Sequence, residues 1–507
     1  MRKKKNKSGS ISVQIVDKSN GYKVVKTIGS TKDPEKIKKL VDSGWNTIKS
    51  SNGKQPKLFT PQSREELAIE SFLGELNNAQ IHTIGPELIF GTLFDRIGFN
   101  AINQELFRHI VITRLAYPTS KLKTVDYLRR YRGIDIEVDT IYRFLDKLND
   151  KYKTTVERIA FEYTKKTLKN ISVVFYDMTT LYFEAEDEDD LRKIGFSKDG
   201  KFQKPQIMLG LLVGENGYPI GYDIFKGNTF EGHTLLPILD GIRKKYGFDK
   251  PIVVADAALL SRSNLKNLSE QEYRFIIGAR IKNETDEMKE KILNQAGKLK
   301  DGGSFVLKRP DETRLVVTYS EKRAKKDKHN REKGLKKLRE KVKSGKLNKQ
   351  SINNRGYNRF LKLEGRVNVK INENKIEEDK KWDGLKGYIT NTDLRANAVV
   401  NNYQHLWQIE KAFRISKTDL RVRPIYHYRR KRIESHICIS FVAYTIYKEL
   451  ERLLCKYNAG LSAKRASELT HNMYELEYEL PNSTDPKKII LKMDDEQNIL
   501  YDIVRKC

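Results

Sequence analysis

Hydrophobic and polar positions change period several times along the chain. Residues 11–29, ISVQIVDKSNGYKVVKTIG, alternate, with Asn20-Gly21 between two β-rich runs. That dipeptide accepts the positive φ of a tight turn, so the stretch predicts a hairpin. From about 65 to 169 the spacing becomes helical: GPELIFGTLFDRIGF and AINQELFRHIVITRLAYP repeat apolar residues every three to four positions, the second run stopping at Pro118. SKLKTVDYLRRYRG and DTIYRFLDKLNDKY follow as two short helices, with Ser120 and Asp139 as expected N-caps and Gly133 ending the first. Arg129, Arg130 and Arg132 before the GIDIEV joint suit two readings, a DNA-reading helix pair or a helical bundle with a solvated basic edge.

From 171 the pattern is β, then α/β. ISVVFYD predicts a buried strand ending on Asp177, and PQIMLGLLV and YPIGYDIF flank GENG as an antiparallel hairpin. HTLLPILDGIRKKYG predicts a helix with Thr234 as cap and Gly247 as end, PIVVAD a second buried strand, SRSNLKNLSEQ a helix capped by Ser261 or Ser263, and YRFIIGA a third strand. Strand, hairpin, helix, strand, helix, strand is the order of an RNase H-like α/β domain, although other α/β folds share parts of it.

Residues 284–385 interrupt that rhythm. Between Lys322 and Lys346 there are 13 Lys or Arg against 3 Asp or Glu, on a helix whose apolar stripe is only Leu335, Leu338 and Val342. Such a helix is either a solvated face or an arm that tracks phosphates. LVVTYSE before it adds strand character, and GLKGYITNT and two long helices, about 394–420 and 430–455, restore the α/β pattern. The expected organisation is a small N-terminal β-hairpin segment (1–60), a helical DNA-binding region (61–170), an RNase H-like catalytic domain in two parts (171–283 and 386–457), an insertion of strands plus a basic helix (284–385) and a mixed tail (458–507).

Charge narrows the partners. A formal net charge of +30 over 507 residues costs self-repulsion, which a polyanion, nucleic acid above all, relieves. No run approaches the roughly 18 apolar residues of a membrane span, and MRKKKNKSGSISVQIV lacks the apolar core of a secretory signal. Cys438, Cys455 and Cys507 form no CxxC pair, which argues against disulfides and structural zinc. The expectation is a soluble cytoplasmic protein associated with the nucleoid and no membrane.

The candidate chemistry rests on carboxylates. GFSKDGKF matches the spacing of a phosphate-binding loop only as far as its lysine; Phe202 replaces the required Ser or Thr and a strand follows, so Asp199-Gly200 reads as a turn. Asp177 and Asp256 both end buried β runs; on adjacent strands about 4.8 Å apart their carboxylates could share divalent ions. Alone, each could as well cap the element that follows. NNYQHLWQIEKAFRISKTDLRVR supplies Glu410, with Tyr403 and Lys417 seven residues to either side. On one continuous helix these three share a stripe about 21 Å long. Glu410 has a local alternative, an i+4 pair with Arg414, and Lys411, Arg414, Lys417, Arg421 and Arg423 make the stretch cationic.

YDMTTLYFE, GFSKDGKFQKPQIMLGLLV, FKGNTFEGHTLLPIL, VVADAALLSRSNL, GLKGYITNTDL and YQHLWQIEKAFRISKTDLRVRPIYHYRRKRIESHICISFVAY together resemble bacterial DDE transposases of the insertion-sequence-four superfamily, in its insertion-sequence-1634 branch. RLAYPTSKL resembles the branch's helical N-terminal region. The resemblance implies Asp177, Asp256 and Glu410 as catalytic residues binding two Mg²⁺ ions, with Mn²⁺ able to substitute. It further implies DNA contacts from Tyr403, Lys411, Arg414, Lys417 and Arg421, terminal inverted repeats and target DNA as partners, and a dimer in the synaptic complex. It also implies that the longer gap, 154 residues between Asp256 and Glu410 against 79 between the aspartates, holds a largely β insertion. Leu406 departs from the family signature, which has arginine there. That departure feeds one rival, an element-encoded DNA-binding protein that has lost activity; a structure-specific nuclease on the same fold without strand transfer is the other.

Overall fold

Alternation and turn chemistry build the first of two units, 1–77 and 78–507, in a computed structural model that describes residues 1–18, 21–51, 64–247, 250–259, 262–345, 347, 349–353, 355–364, 368–479 and 485–506. In this unit β1 (Arg2–Lys5), β2 (Ile11–Asp17) and β3 (Lys23–Thr31) form an antiparallel sheet. Asp17 pairs with Lys23 across the expected hairpin and Gly21 takes a φ of +96°; Asn20 lies outside the described residues. Helix α1 (Pro34–Ser51), which the hydrophobic pattern did not bring out, starts where Asp33 accepts the Glu35 N–H at 2.9 Å, and α2 (Arg64–Glu75) follows.

The second unit begins with the short strand β4 (Ile81–Thr83), then α3 (Thr92–Ile97), α4 (Glu105–Ala116), α5 (Lys121–Arg132), α6 (Val138–Lys147) and α7 (Lys153–Leu168). Ser120 caps α5 through the Lys123 N–H and Gly133 ends it in the left-handed region. Asp139, by contrast, does not cap α6. Glu137 holds that position without a side-chain bond, and Asp139 sits in the first turn, where its charge still favours the helix dipole.

The central sheet follows: β5 (Val173–Tyr182), β6 (Gln206–Val213), β7 (Pro219–Lys226), α8 (Leu235–Tyr246), β8 (Ile252–Ala255), α9 (Arg262–Glu270) and β9 (Arg274–Ala279). Gly247 ends α8 as expected. Thr234 stands before α8, but its hydroxyl donates to the Glu231 carbonyl at 2.6 Å and accepts from Tyr176 at 2.8 Å, so it ties the helix to the sheet instead of capping it. Ser263 lies inside α9, and Ser261 is outside the described residues. The order β7-β6-β5-β8-β9, with the first two pairings antiparallel and the last two parallel, is that of an RNase H-like domain.

Next come α10 (Asp286–Ala296), β10 (Ser304–Lys308), β11 (Arg314–Tyr319), α11 (Glu321–Lys343), β12 (Leu361–Glu364), β13 (Asn368–Ile371), α12 (Glu373–Lys380) and β14 (Leu385–Thr390). The insertion does not fold apart. Strands β14, β11 and β10 extend the sheet antiparallel from β9 to eight strands. Helix α11 is the expected basic helix, although Lys346 falls outside the described residues. Leu335 and Leu338 form a small core with Phe360, Leu361 and Ile376, while Arg331 is buried against Asp383 at 2.6 Å.

The chain closes with α13 (Ala396–Gln404), α14 (Trp407–Arg414), α15 (Arg430–Lys456), α16 (Ala463–Thr470), β15 (Tyr474–Tyr478), β16 (Lys487–Ile490) and α17 (Asp495–Arg505). The tail joins the helical region, because β15 pairs with β4. Each face of the sheet has its own core. One side chain set (Val173, Phe175 and Leu181 of β5) packs with α13, α14 and the largely buried α15; the other (Val174, Tyr176, Met178) packs with α8 and α9. No described helix is long and apolar enough to cross a membrane.

Candidate active site

The expected strand end at Asp177 does not occur: β5 runs on to Tyr182, so Asp177 lies mid-strand and alternation decides where it points. Odd residues of β5 face the α13–α15 side, so Asp177 shares that face with Phe175. On β8 the even residues Ile252 and Val254 face it, and the next even residue is Asp256. Tyr176 pairs with Ala255 in parallel register, so one step further along the strands Asp177 comes opposite Asp256. Ala255 pairs with Ile277, which carries the same row on to Gly278, and Gly278 pairs with Tyr388. Strand spacing of about 4.8 Å makes the two carboxylates neighbours. Asp256 also accepts the Ala258 N–H at 2.8 Å, so the strand-end capping role and the pairing with Asp177 coexist.

The row is short of positive charge. Burial lifts the Asp177 carboxyl to about 6, against the pull of Lys198 and the Met178 N–H, and Asp256 and Glu231 add repulsion. Lys198 lies 3.6 Å from Asp177 and 2.9 Å from Glu231. Burial would lower its ammonium, but these carboxylates carry it above its ordinary value. Sequence reasoning missed Lys198 and Glu231. Both lie inside motifs already quoted, GFSKDGKF and NTFEGHTLL, but no spacing rule connects either to Asp177 across the fold.

Tyr403 stands on this row. A Cβ on Gly278 would lie 2.5 Å from its Oη and 3.3 Å from the Ala257 nitrogen, so only glycine admits the phenol beside Asp256. The ring packs on Tyr388 with centroids 4.8 Å apart, and the Lys386 ammonium lies 4.5 Å from its centre. Burial, then Asp256 and Glu410, push the Tyr403 hydroxyl well up. Glu410 also opposes the burial that lowers Lys386. The phenol is thus within electrostatic reach of both acids.

The expected single stripe of Tyr403, Glu410 and Lys417 does not form. The helix breaks at His405 and Leu406, because Leu406 turns into the core, and it continues as a π-helical turn over Ile415–Asp419. Tyr403 therefore belongs to α13, Glu410 to α14 and Lys417 to that turn. Glu410 is exposed while Ile409, Ala412 and Phe413 are buried, which is how a carboxylate is accommodated among large apolar groups. Among the described residues it forms no ion pair with Arg414 or any other cation. Lys417 is held by Asp199 at 3.3 Å, an acid that also pairs with Arg423, and burial lowers its ammonium despite Asp199. Lys411 pairs with Glu451 on α15. Arg414 and Arg421 are exposed.

The structure therefore brings Asp177 and Asp256 together and leaves Glu410 on the solvent side of α14. Among the described residues no group of three His, Cys, Asp or Glu is gathered to hold a metal ion. Two all-oxygen donors with unrelieved negative charge nonetheless suit a hard divalent cation.

A family profile described as transposase DDE domain matches residues 169–446, more than half of the chain. Comparison with curated proteins finds no match. Solved structures similar to the chain include a piggyBac transposase synaptic complex with hairpin DNA, at 11% identity, TM-score 0.39, 76% of this chain and 78% of that one. The Mos1 transposase paired-end complex with left transposon end is 10% identical, with TM-score 0.16, over 47% and 66% of the two chains.

Proposed function

We propose, on the premise that the chain belongs to the transposase DDE-domain family, that it binds the terminal inverted repeats of an insertion sequence, cleaves at the element ends and joins the 3′-hydroxyls to target DNA. The observation that carries this reading is the Asp177–Asp256 pair, in register on one face of an RNase H-ordered sheet. Bacterial origin and the insertion-sequence-1634 branch belong to the same proposal.

In it, Asp177 and Asp256 hold divalent cations, Mg²⁺ or Mn²⁺, and Glu410 completes the set when DNA draws α14 inward. Bound there, such ions activate the attacking oxygen and stabilise the leaving one. Lys198 keeps Asp177 partly compensated before metal arrives. Tyr403 orders the space between the acids, Lys417 faces a phosphate near the scissile bond, and Arg414 and Arg421 offer exposed cations to the backbone. Lys411, held by Glu451, contributes to DNA binding only if that pair opens. DNA synapsis calls for a dimer.

The test is a labelled element end incubated with protein, with and without Mg²⁺, followed by transfer to a plasmid. Metal-dependent cutting and joining are expected. Cutting without joining would leave a nuclease. Binding without cutting would leave an impaired DNA-binding protein, the outcome that the exposed Glu410 and the buried Leu406 favour.

A further inference from the structure

A cavity of about 360 Å³ lies where the start of α5 meets the loop over residues 421–427. Arg114, Lys121, Lys123, Arg421 and Arg423 line it together with His427 and His436, and none of its lining residues is an aspartate or glutamate. Arg114 and Lys121 are each only 5% exposed. Buried cations are ordinarily paired, since an unpaired charge in a poorly solvated place is costly. Here they are not. Lys121 makes no side-chain hydrogen bond or ion pair among the described residues. Arg114 reaches only the Leu420 and Arg421 carbonyls, each at 3.4 Å. Asp146, whose charge opposes these cations at His427, is engaged by Arg432 at 2.9 Å.

Titration follows the same logic. Burial lowers Arg114 to about 10, and burial with Arg114 beside it pushes Lys121 well down. Burial, then Lys121 and Arg114, press His427 to about 3. His436 donates its Nε2–H to the Val422 carbonyl at 2.9 Å, while its buried Nδ1 has no partner among the described residues. Helix α5 begins at the cavity wall, capped by Ser120, and its first N–H groups carry the positive end of the helix dipole.

We infer that this cavity seats one backbone phosphate of bound DNA, so that the strand is gripped at a fixed distance from the acid row. The inference rests on the transposase reading and adds a specific anchor to it. Ion pairs and one chain neighbour link the cavity wall to that row. Arg423 pairs with Asp199, which also holds Lys417, and the residue before Asp199 is Lys198, 3.6 Å from Asp177.

Lys121→Met tests it, because the substitution keeps the stem and removes the charge. Relief of an uncompensated buried ammonium should raise the melting temperature of the full chain. At the same time affinity for a random-sequence duplex should fall roughly tenfold, and the log–log salt slope should drop by about one. Inorganic phosphate at matched ionic strength should stabilise the wild type more than chloride does, and the variant should lose that difference. Lys121→Arg should retain affinity, and Arg421→Gln, on the exposed rim, gives a second reading if Lys121→Met does not fold. Unchanged affinity and slope in a folded Lys121→Met protein would overturn the inference, as would a loss of affinity accompanied by a lower melting temperature. Asp177→Asn should keep the phosphate effect. A failure of cleavage in the wild type therefore counts against the transposase reading alone.

Discussion

The acid row and the cationic cavity are built in opposite ways from the same principle. Around Asp177, three carboxylates share one ammonium, and the result is a carboxyl lifted to about 6. Around Lys121, buried cations share no carboxylate among the described residues, and both they and His427 are pressed toward neutrality. Elsewhere in the second unit buried charge is matched. Glu449, fully buried, accepts from Tyr218 at 2.9 Å and from Arg452 at 2.6 Å, and Arg331 is fully engaged by Asp383. Among the described residues these two places, of opposite sign and linked through Asp199, stand out from the matched buried charges; under the proposed function, a phosphodiester with its metal ions would supply both missing signs.

The largest expected effect on that contrast comes from Asp177→Asn. Cleavage of an element end should fall roughly a thousandfold or more, since a metal-holding carboxylate is lost, while filter binding of the same DNA should be little changed. The same variant has a thermal signature. A carboxyl whose folded value is raised makes the native state hold its proton longer than the unfolded chain does. The protein is therefore favoured at pH below about 4 and loses up to about 3 kcal/mol as pH rises through about 6. Asp177→Asn should remove that loss, so its melting temperature should exceed the wild type's at pH 8 and converge with it near pH 4. Mn²⁺ should raise the wild-type melting temperature at pH 8 and leave that of Asp177→Asn unmoved.

Next in size is Gly278→Ala. The added Cβ would meet Tyr403 Oη at 2.5 Å, so overpacking should cost about 1–3 kcal/mol in denaturant titration and lower cleavage. Adding Tyr403→Phe should recover part of the stability, which a general defect in β9 would not allow. Lys198→Met takes away the one cation beside Asp177, so the acid limb of the pH–rate profile should move to higher pH; an unmoved limb would separate Asp177 from the rate. The smallest effect is expected from Lys411→Met. Its pair with Glu451 is partly exposed, so stability should change by about 0–1 kcal/mol and the salt slope of DNA binding hardly at all.

Much of the framework was legible from local pattern. Apolar β runs around Asp177 and Asp256, the hairpin at GENG, Ser120 as a cap and Gly133 and Gly247 as stops are set by neighbours a few residues away, and the structure has each of them. Local pattern misled where a nearby contact competes with a distant one. Thr234 bonds to Tyr176 instead of capping α8, and Leu406 turns into the core and breaks the helix that regular periodicity would have continued.

By itself the sequence determined most of the strands and helices, and that Asp177 and Asp256 each follow a buried β run, because period-two alternation and turn chemistry act within a few residues. Only the tertiary structure decided that these acids share a register with Gly278 and Tyr388, that Lys198 and Glu231 join them, that Glu410 faces solvent, and that Arg114 and Lys121 are buried without a counter-ion. Each of those outcomes depends on what a charge meets after folding, and Coulomb interaction and desolvation act through space, between residues the chain keeps far apart.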